Sequence, residues 1–103
     1  MDVAVDKEGF LRQLEDWSPE VAAQLAQAEG ISLTPAHWEI LELVRQYYLD
    51  YAISPPMRVL VKLVNEKLGP EKGRSVYLLT LYPDSPAKLV SKLAGLPKPT
   101  NCD

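Results

Sequence analysis

The sequence predicts an α+β protein that is mostly α. A small N-terminal β-hairpin or meander packs on an array of about five helices, and an extended proline-rich arm follows. Three observations carry this. Four of the nine prolines follow a Ser or Thr, each pair marking a helix start. Val3 and Val5 alternate with other residues ahead of a turn-forming Asp6-Lys7-Glu8-Gly9. The tail, Leu96-Pro97-Lys98-Pro99, carries two prolines that forbid a helix. At 103 residues the chain makes one domain. The division is residues 1–95 as a helical domain with its hairpin and residues 96–103 as a mobile arm bearing Cys102.

Taken in order, the hairpin runs through the turn to Phe10, Leu11 and Leu14 and leads into Trp17. A hairpin this small is not stable alone, so it has to rest on the helices. The first helix starts at Ser18-Pro19, reaches about Ala28 and stops at Gly30. A second starts at Thr34-Pro35 and reaches about Tyr51, with Trp38, Leu41, Val44, Tyr48 and Tyr51 inward at three- and four-residue spacing. A third starts at Ser54-Pro55 and reaches about Leu68, with Leu60, Val61, Val64 and Leu68 inward and Gly69 as terminator. A shorter fourth spans about Arg74 to Leu81, ended by Pro83. The fifth starts at Ser85-Pro86, buries Leu89, Val90 and Leu93, and stops at Gly95.

Composition excludes several classes. No apolar run approaches the ~20 residues that span a bilayer, and the opening residues lack the basic stretch and apolar core of a secretory signal. One cysteine rules out an internal disulfide framework, and with one histidine it rules out a closed zinc site built by this chain alone. No cofactor is expected, and the location is expected to be cytoplasmic. Charge is asymmetric: residues 1–50 hold three bases against ten acids, whereas residues 51–103 hold eight bases against four acids. A basic half can face an anion, an RNA or an acidic partner; dispersed lysines on a solvated helix surface are the plainer explanation.

Cys102 is the first candidate for chemistry. Seven residues of stiff arm at ~3.1 Å each would carry its sulfur ~20 Å from Gly95. Burial is hard to arrange on such a tail, and an exposed thiol is a liability unless used. The chemistry needs a thiolate; Lys98 favours one, while Asp103 and the terminal carboxylate oppose it. His37 lies in the first turn of the second helix with no orienting group or oxyanion motif beside it, so it reads as a helix-start residue rather than the base of a cysteine hydrolase. The segment Pro55–Leu81 has the outline of a helix-turn-helix, with Arg58, Lys62, Lys72 and Arg74 placed for phosphates. Its recognition-helix candidate, residues 74–81, is mostly apolar and reads as core, so direct DNA binding is the weaker reading. The five tyrosines have helical spacing suited to core or groove lining.

The segments Glu29–Glu39, Val44-Arg45-Gln46-Tyr47-Tyr48, Ser54-Pro55-Pro56-Met57-Arg58 and Ala94–Asp103 closely resemble the TusE/DsrC family. The resemblance covers nearly the whole chain from about Val5, and the tail Gly-Leu-Pro-Lys-Pro-x-x-Cys-x is its most specific part. It implies the fold described above and a sulfurtransferase in the sense of a persulfide-carrying relay, with Cys102 as carrier. In the TusE branch, the implied donor is a TusBCD-like complex. The implied acceptor is an MnmA-like thiouridylase with its tRNA, leading to 2-thiolation of the wobble uridine. In the DsrC branch the implied partner is dissimilatory sulfite reductase, and a second cysteine stands eleven residues before the last. Here that position is Ser91, which cannot form a disulfide, and this favours the relay. A single-cysteine helix-turn-helix regulatory protein and a purely structural subunit are the remaining alternatives. Pro97 and Pro99 would limit the entropy lost as the arm enters a partner, from Gly95 outward. Lys98 would balance the sulfur anion, and Arg58 and Arg74 are weaker candidates for holding the arm or an acidic partner.

Overall fold

The computed structural model describes residues 3–100. Five helices succeed a single 3-10 turn at Leu14–Asp16: α1 (Pro19–Ala28), α2 (Pro35–Tyr51), α3 (Met57–Leu68), α4 (Ser75–Leu81) and α5 (Pro86–Leu93). The helix α5 is central, packing against all four others. Its Val90 and Leu93 meet Ile40, Leu41 and Val44 of α2, Leu60 and Val64 of α3, and Leu78 and Tyr82 around α4 in one core.

The expected N-terminal hairpin is not formed. No strand occurs among the described residues, and the fold is all-helical. The turn itself is present: Gly9 N–H donates to the Asp6 carbonyl at 3.0 Å, with Gly9 at φ 92°. The Asp6 carboxylate accepts from the amides of Glu8 and Phe10. Pairing then stops after one antiparallel bridge, Val5 to Leu11. The reason lies in two consecutive residues. Phe10 and Leu11 are both buried, at 3% and 7% exposure, whereas neighbours on a strand point to opposite faces. The chain dives into the core instead of continuing a ladder.

The Ser/Thr-Pro starts divide by mechanism. Ser18 Oγ accepts from Val21 N–H, a true N-cap. At Thr34 the reciprocal partner is a histidine: Thr34 N–H donates to His37 Nδ1 at 3.1 Å, the task usually taken by Glu or Gln. His37 Nε2 lies 2.9 Å from the Leu81 carbonyl. That oxygen only accepts, so Nε2 carries the proton. Tyr82 O–H donates back to the His37 carbonyl at 2.9 Å, and burial pushes the phenol pKa far up. His37 is thus a staple from α2 to the end of α4. At Ser54 the expectation fails: α3 begins two residues later than Pro55, at Met57, with Pro56 as N-cap. The other Gly-based stops hold, but α2 ends on Ala52 in the left-handed region at φ 59°, a position where no glycine signals the stop.

The charge asymmetry is resolved inside the molecule. Lys72 pairs with Glu39 at 2.8 Å, Lys92 with Glu29 at 2.8 Å, and Lys88 and Lys98 both with Glu8 at 3.1 Å. Each pair joins a base of the second half to an acid of the first. Lys92 is itself buried, its ammonium 5.4 Å from the Phe10 ring centroid; its aliphatic stem fills space while its head reaches Glu29.

Candidate functional site

The arm leaves the body through a clamp built from three elements. Trp17, beyond the 3-10 turn, donates its indole N–H to the Leu93 carbonyl at 2.8 Å. Arg45, on α2, lies over the Trp17 ring with 3.8 Å from guanidinium carbon to centroid. It donates to the Ala94 carbonyl at 2.6 Å. The last carbonyls of α5, which no helical N–H can reach, are met by an indole and a guanidinium. Partial burial lowers the Arg45 pKa, yet a guanidinium stays charged. Gly95 turns the chain at φ 75°, and a Cβ there would stand 2.7 and 2.8 Å from Trp17 Cγ and Cβ. Only glycine satisfies both the dihedral and the close approach.

Beyond the clamp, Leu96 is buried and its N–H returns to the Ser91 carbonyl at 2.9 Å. Ser54 Oγ donates to the Pro97 carbonyl at 2.6 Å; the residue that sequence assigned to a helix cap holds the arm instead. Lys98 reaches Glu8, and Lys88 shares that carboxylate. The two ammonium groups hold the Glu8 carboxyl below the usual carboxylate range, Lys98 contributing most. Pro99 is buried, and the arm borders a cleft of about 250 Å³ with Tyr48, Ala52, Ile53 and Pro56 on the body side.

Among the residues singled out in the sequence, Gly95, Pro97, Lys98 and Pro99 come together here. Cys102 lies outside the described residues. Arg58 and Arg74 are exposed, in the first turn of α3 and at the N-cap of α4, and neither bonds to the arm among the described residues. Trp17, Arg45, Ser54 and Glu8 are arm contacts that the sequence reading did not assign. Arg45 carried a signal: it adjoins the core position Val44 on α2, so its charge sits at the edge of the core. The inward assignment of Tyr51 is also corrected, since it is 63% exposed. Tyrosine at the last position of α2 lies past the core it was expected to meet.

The segment with the outline of a helix-turn-helix is corrected in one respect: residues 74–81 read as core, yet Leu78 is the one buried residue of α4, and Val76 and Leu79 face solvent. Lys72 is engaged by Glu39. Gly73 allows the chain to pass against α3, where a Cβ would stand 2.5 Å from the Asn65 nitrogen. No group of three or more metal-ligating side chains occurs among the described residues, and no helix there is long and apolar enough to cross a membrane.

The family model described as DsrC like protein matches residues 1–102. The sulfurtransferase TusE of Sodalis glossinidius is 46% identical over 101 residues, covering 98% of this chain and 94% of that protein. A sulfurtransferase TusE homolog of Haemophilus influenzae is 49% identical over 102 residues, covering 99% and 94%. Among solved structures, Allochromatium vinosum DsrC superposes with a TM-score of 0.89 at 50% identity, covering 98% of this chain and 90% of that one. The oxidised gamma-subunit of dissimilatory sulfite reductase from Archaeoglobus fulgidus superposes with a TM-score of 0.85 at 39% identity, covering 98% and 92%. The chain belongs to the DsrC-like family, whose members include sulfurtransferases named TusE.

Proposed function

We propose that the protein is a sulfur carrier that accepts sulfane sulfur on Cys102 and passes it on, toward 2-thiolation of wobble uridine in tRNA. The Cys102 thiolate attacks the terminal sulfur of a donor persulfide. A bond forms between Cys102 Sγ and that sulfur, the donor S–S bond breaks, and the donor cysteine leaves as a thiolate. Cys102–S–SH results, with no net oxidation, by the same displacement as thiol–disulfide exchange. Discharge repeats the step in the other direction on an acceptor. The partners this reading calls for are a TusBCD-like donor complex and an MnmA-like thiouridylase with its tRNA, in the cytoplasm.

The observation that supports this best is the arm itself. A rigid clamp at Leu93–Gly95 hands over to a stiff Pro97-Lys98-Pro99 segment, and the sequence's one thiol stands three residues further on. Fixing the root while limiting the conformations of the tip lowers the ordering cost of entering a partner. Ser91 favours the single-thiol relay over a two-cysteine sulfite-reductase cycle. It lies fully buried in α5, and a hydroxyl cannot form a disulfide with Cys102. Incubation with the persulfide-loaded donor complex should add one sulfur, ~32 Da on intact mass, and Cys102→Ser should add none. Loading that persists in Cys102→Ser would overturn the reading.

A further inference from the structure

The four ion pairs between the halves leave a remainder. In the second half, the bases without a carboxylate partner among the described residues are Arg58, Lys62 and Lys67 on α3 and Arg74 ahead of α4. Three of these four stand on one helix, and two of them, Lys62 and Lys67, line an open groove of about 410 Å³ between α2 and α3.

The groove has an apolar floor at helical spacing. Leu43, Tyr47 and Tyr51 stand four residues apart along α2, and Val59 and Leu63 four apart along α3. Leu43 also packs against the core that Ile40, Leu41 and Val44 enter, whereas Tyr47 and Tyr51 carry the stripe away from it. Tyr47 and Tyr51 lie against each other, ring centroids 4.7 Å apart. The rim is polarised: Gln46 and Asp50 edge the α2 side, and Lys62 and Lys67 edge the α3 side around Glu66. The groove also adjoins the arm. Tyr51 and Val59 flank the turn whose Ala52, Ile53, Ser54 and Pro56 line the arm's cleft.

We propose that this groove docks an amphipathic helix of the protein that exchanges sulfur with the arm. Two apolar stripes with a four-residue repeat match the i, i+4 anchors of a helix laid between them. The incoming helix carries an acidic flank facing Lys62 and Lys67, which pair with no carboxylate among the described residues. A nucleic acid fits less well, because Leu43, Val59 and Leu63 make the floor largely aliphatic and only two bases, Lys62 and Lys67, line the rim. The inference rests on the sulfur-relay reading and adds to it where the partner sits, beside the turn that holds the arm.

The test compares two sulfur sources. Inorganic polysulfide loads a thiol without docking; the persulfide-loaded donor complex has to dock. Tyr51→Glu and the double charge reversal Lys62→Glu/Lys67→Glu change exposed side chains, so both variants retain the fold, checked by circular dichroism. Each is expected to load from the donor complex about tenfold or more slower than wild type, the loss of a docking anchor, while loading from polysulfide stays within about twofold. Equal loading of variants and wild type from the donor complex overturns the groove and leaves the relay intact. A change confined to self-association or to tRNA retention likewise overturns it, assigning the groove to a second copy or to RNA. Failure of the wild type with both sources removes the relay reading and the inference with it.

Discussion

Ser91 is the residue whose chemistry is least compensated. Its side chain is fully buried, and its Oγ has no hydrogen-bond partner among the described residues. A buried hydroxyl without a partner forfeits its hydration, at a cost of about 1–3 kcal/mol. Ser91→Ala removes the hydroxyl and leaves little space, so it is expected to stabilise the protein by about 1 kcal/mol in urea or thermal unfolding. Destabilisation by a similar amount would show that the hydroxyl is satisfied. On the proposed relay, oxygen at this site takes no part, so loading of Cys102 should be unchanged in the same variant. Gly95 is the opposite case, a residue with no chemistry and a strict shape. Gly95→Ala places a methyl group on Trp17 and forces an alanine to φ 75°. The combined strain should destabilise the fold by about 1–3 kcal/mol, accompanied by a change in Trp17 fluorescence. A variant as stable as wild type would mean that the clamp at the root of the arm is loose.

At the scale of elements, the contacts that hold the arm include the Leu96 N–H to the Ser91 carbonyl, the Ser54 hydroxyl to the Pro97 carbonyl, and the ion pair of Lys98 with Glu8. The sign of the pH dependence follows from Glu8. Its carboxyl titrates below the ordinary range because Lys98 and Lys88 favour its charged form. The latch is therefore complete at neutral pH and is lost as pH falls through that lowered value, with no change expected between pH 6 and 8. Salt acts in the same direction, since at 1 M the screening length is ~3 Å. Glu8→Gln should raise exchange of the Leu96 amide, which bonds to the Ser91 carbonyl at the start of the arm, at neutral pH, and wild type should match it only in acid. Identical exchange in the two proteins at neutral pH would remove Glu8 from the latch. The helices themselves were legible because Pro, Ser and Thr act locally: the starts at Pro19, Pro35 and Pro86 and the stop at Gly30 depend on neighbours within a turn. What was not legible depends on distant partners. Ser54 looks like a cap until Pro97 is placed beside it, and Val3 with Val5 looks like a strand until Phe10 and Leu11 enter the core together. Arg45 and Trp17 meet Leu93 and Ala94 across more than forty residues of sequence, and no local pattern reports that.

Over the whole molecule, the acidic and basic halves are each other's counter-surfaces. The dispersed lysines of the second half read in sequence as a solvated surface rather than a site for an anionic partner; in the fold Lys72, Lys88, Lys92 and Lys98 are engaged by Glu39, Glu8 and Glu29. The surplus is concentrated on α3, next to the groove and the arm. The molecule thus presents a body stapled by α5 and an arm whose root is fixed. The central claim is that Cys102 is the atom charged and discharged through that arm. Intact-mass spectrometry on wild type and Cys102→Ser, before and after exposure to the persulfide-loaded donor complex, tests it directly. The account predicts one added sulfur on the wild type, released by a thiol reductant, and none on Cys102→Ser. Equal addition to both proteins, or none to the wild type, would contradict it.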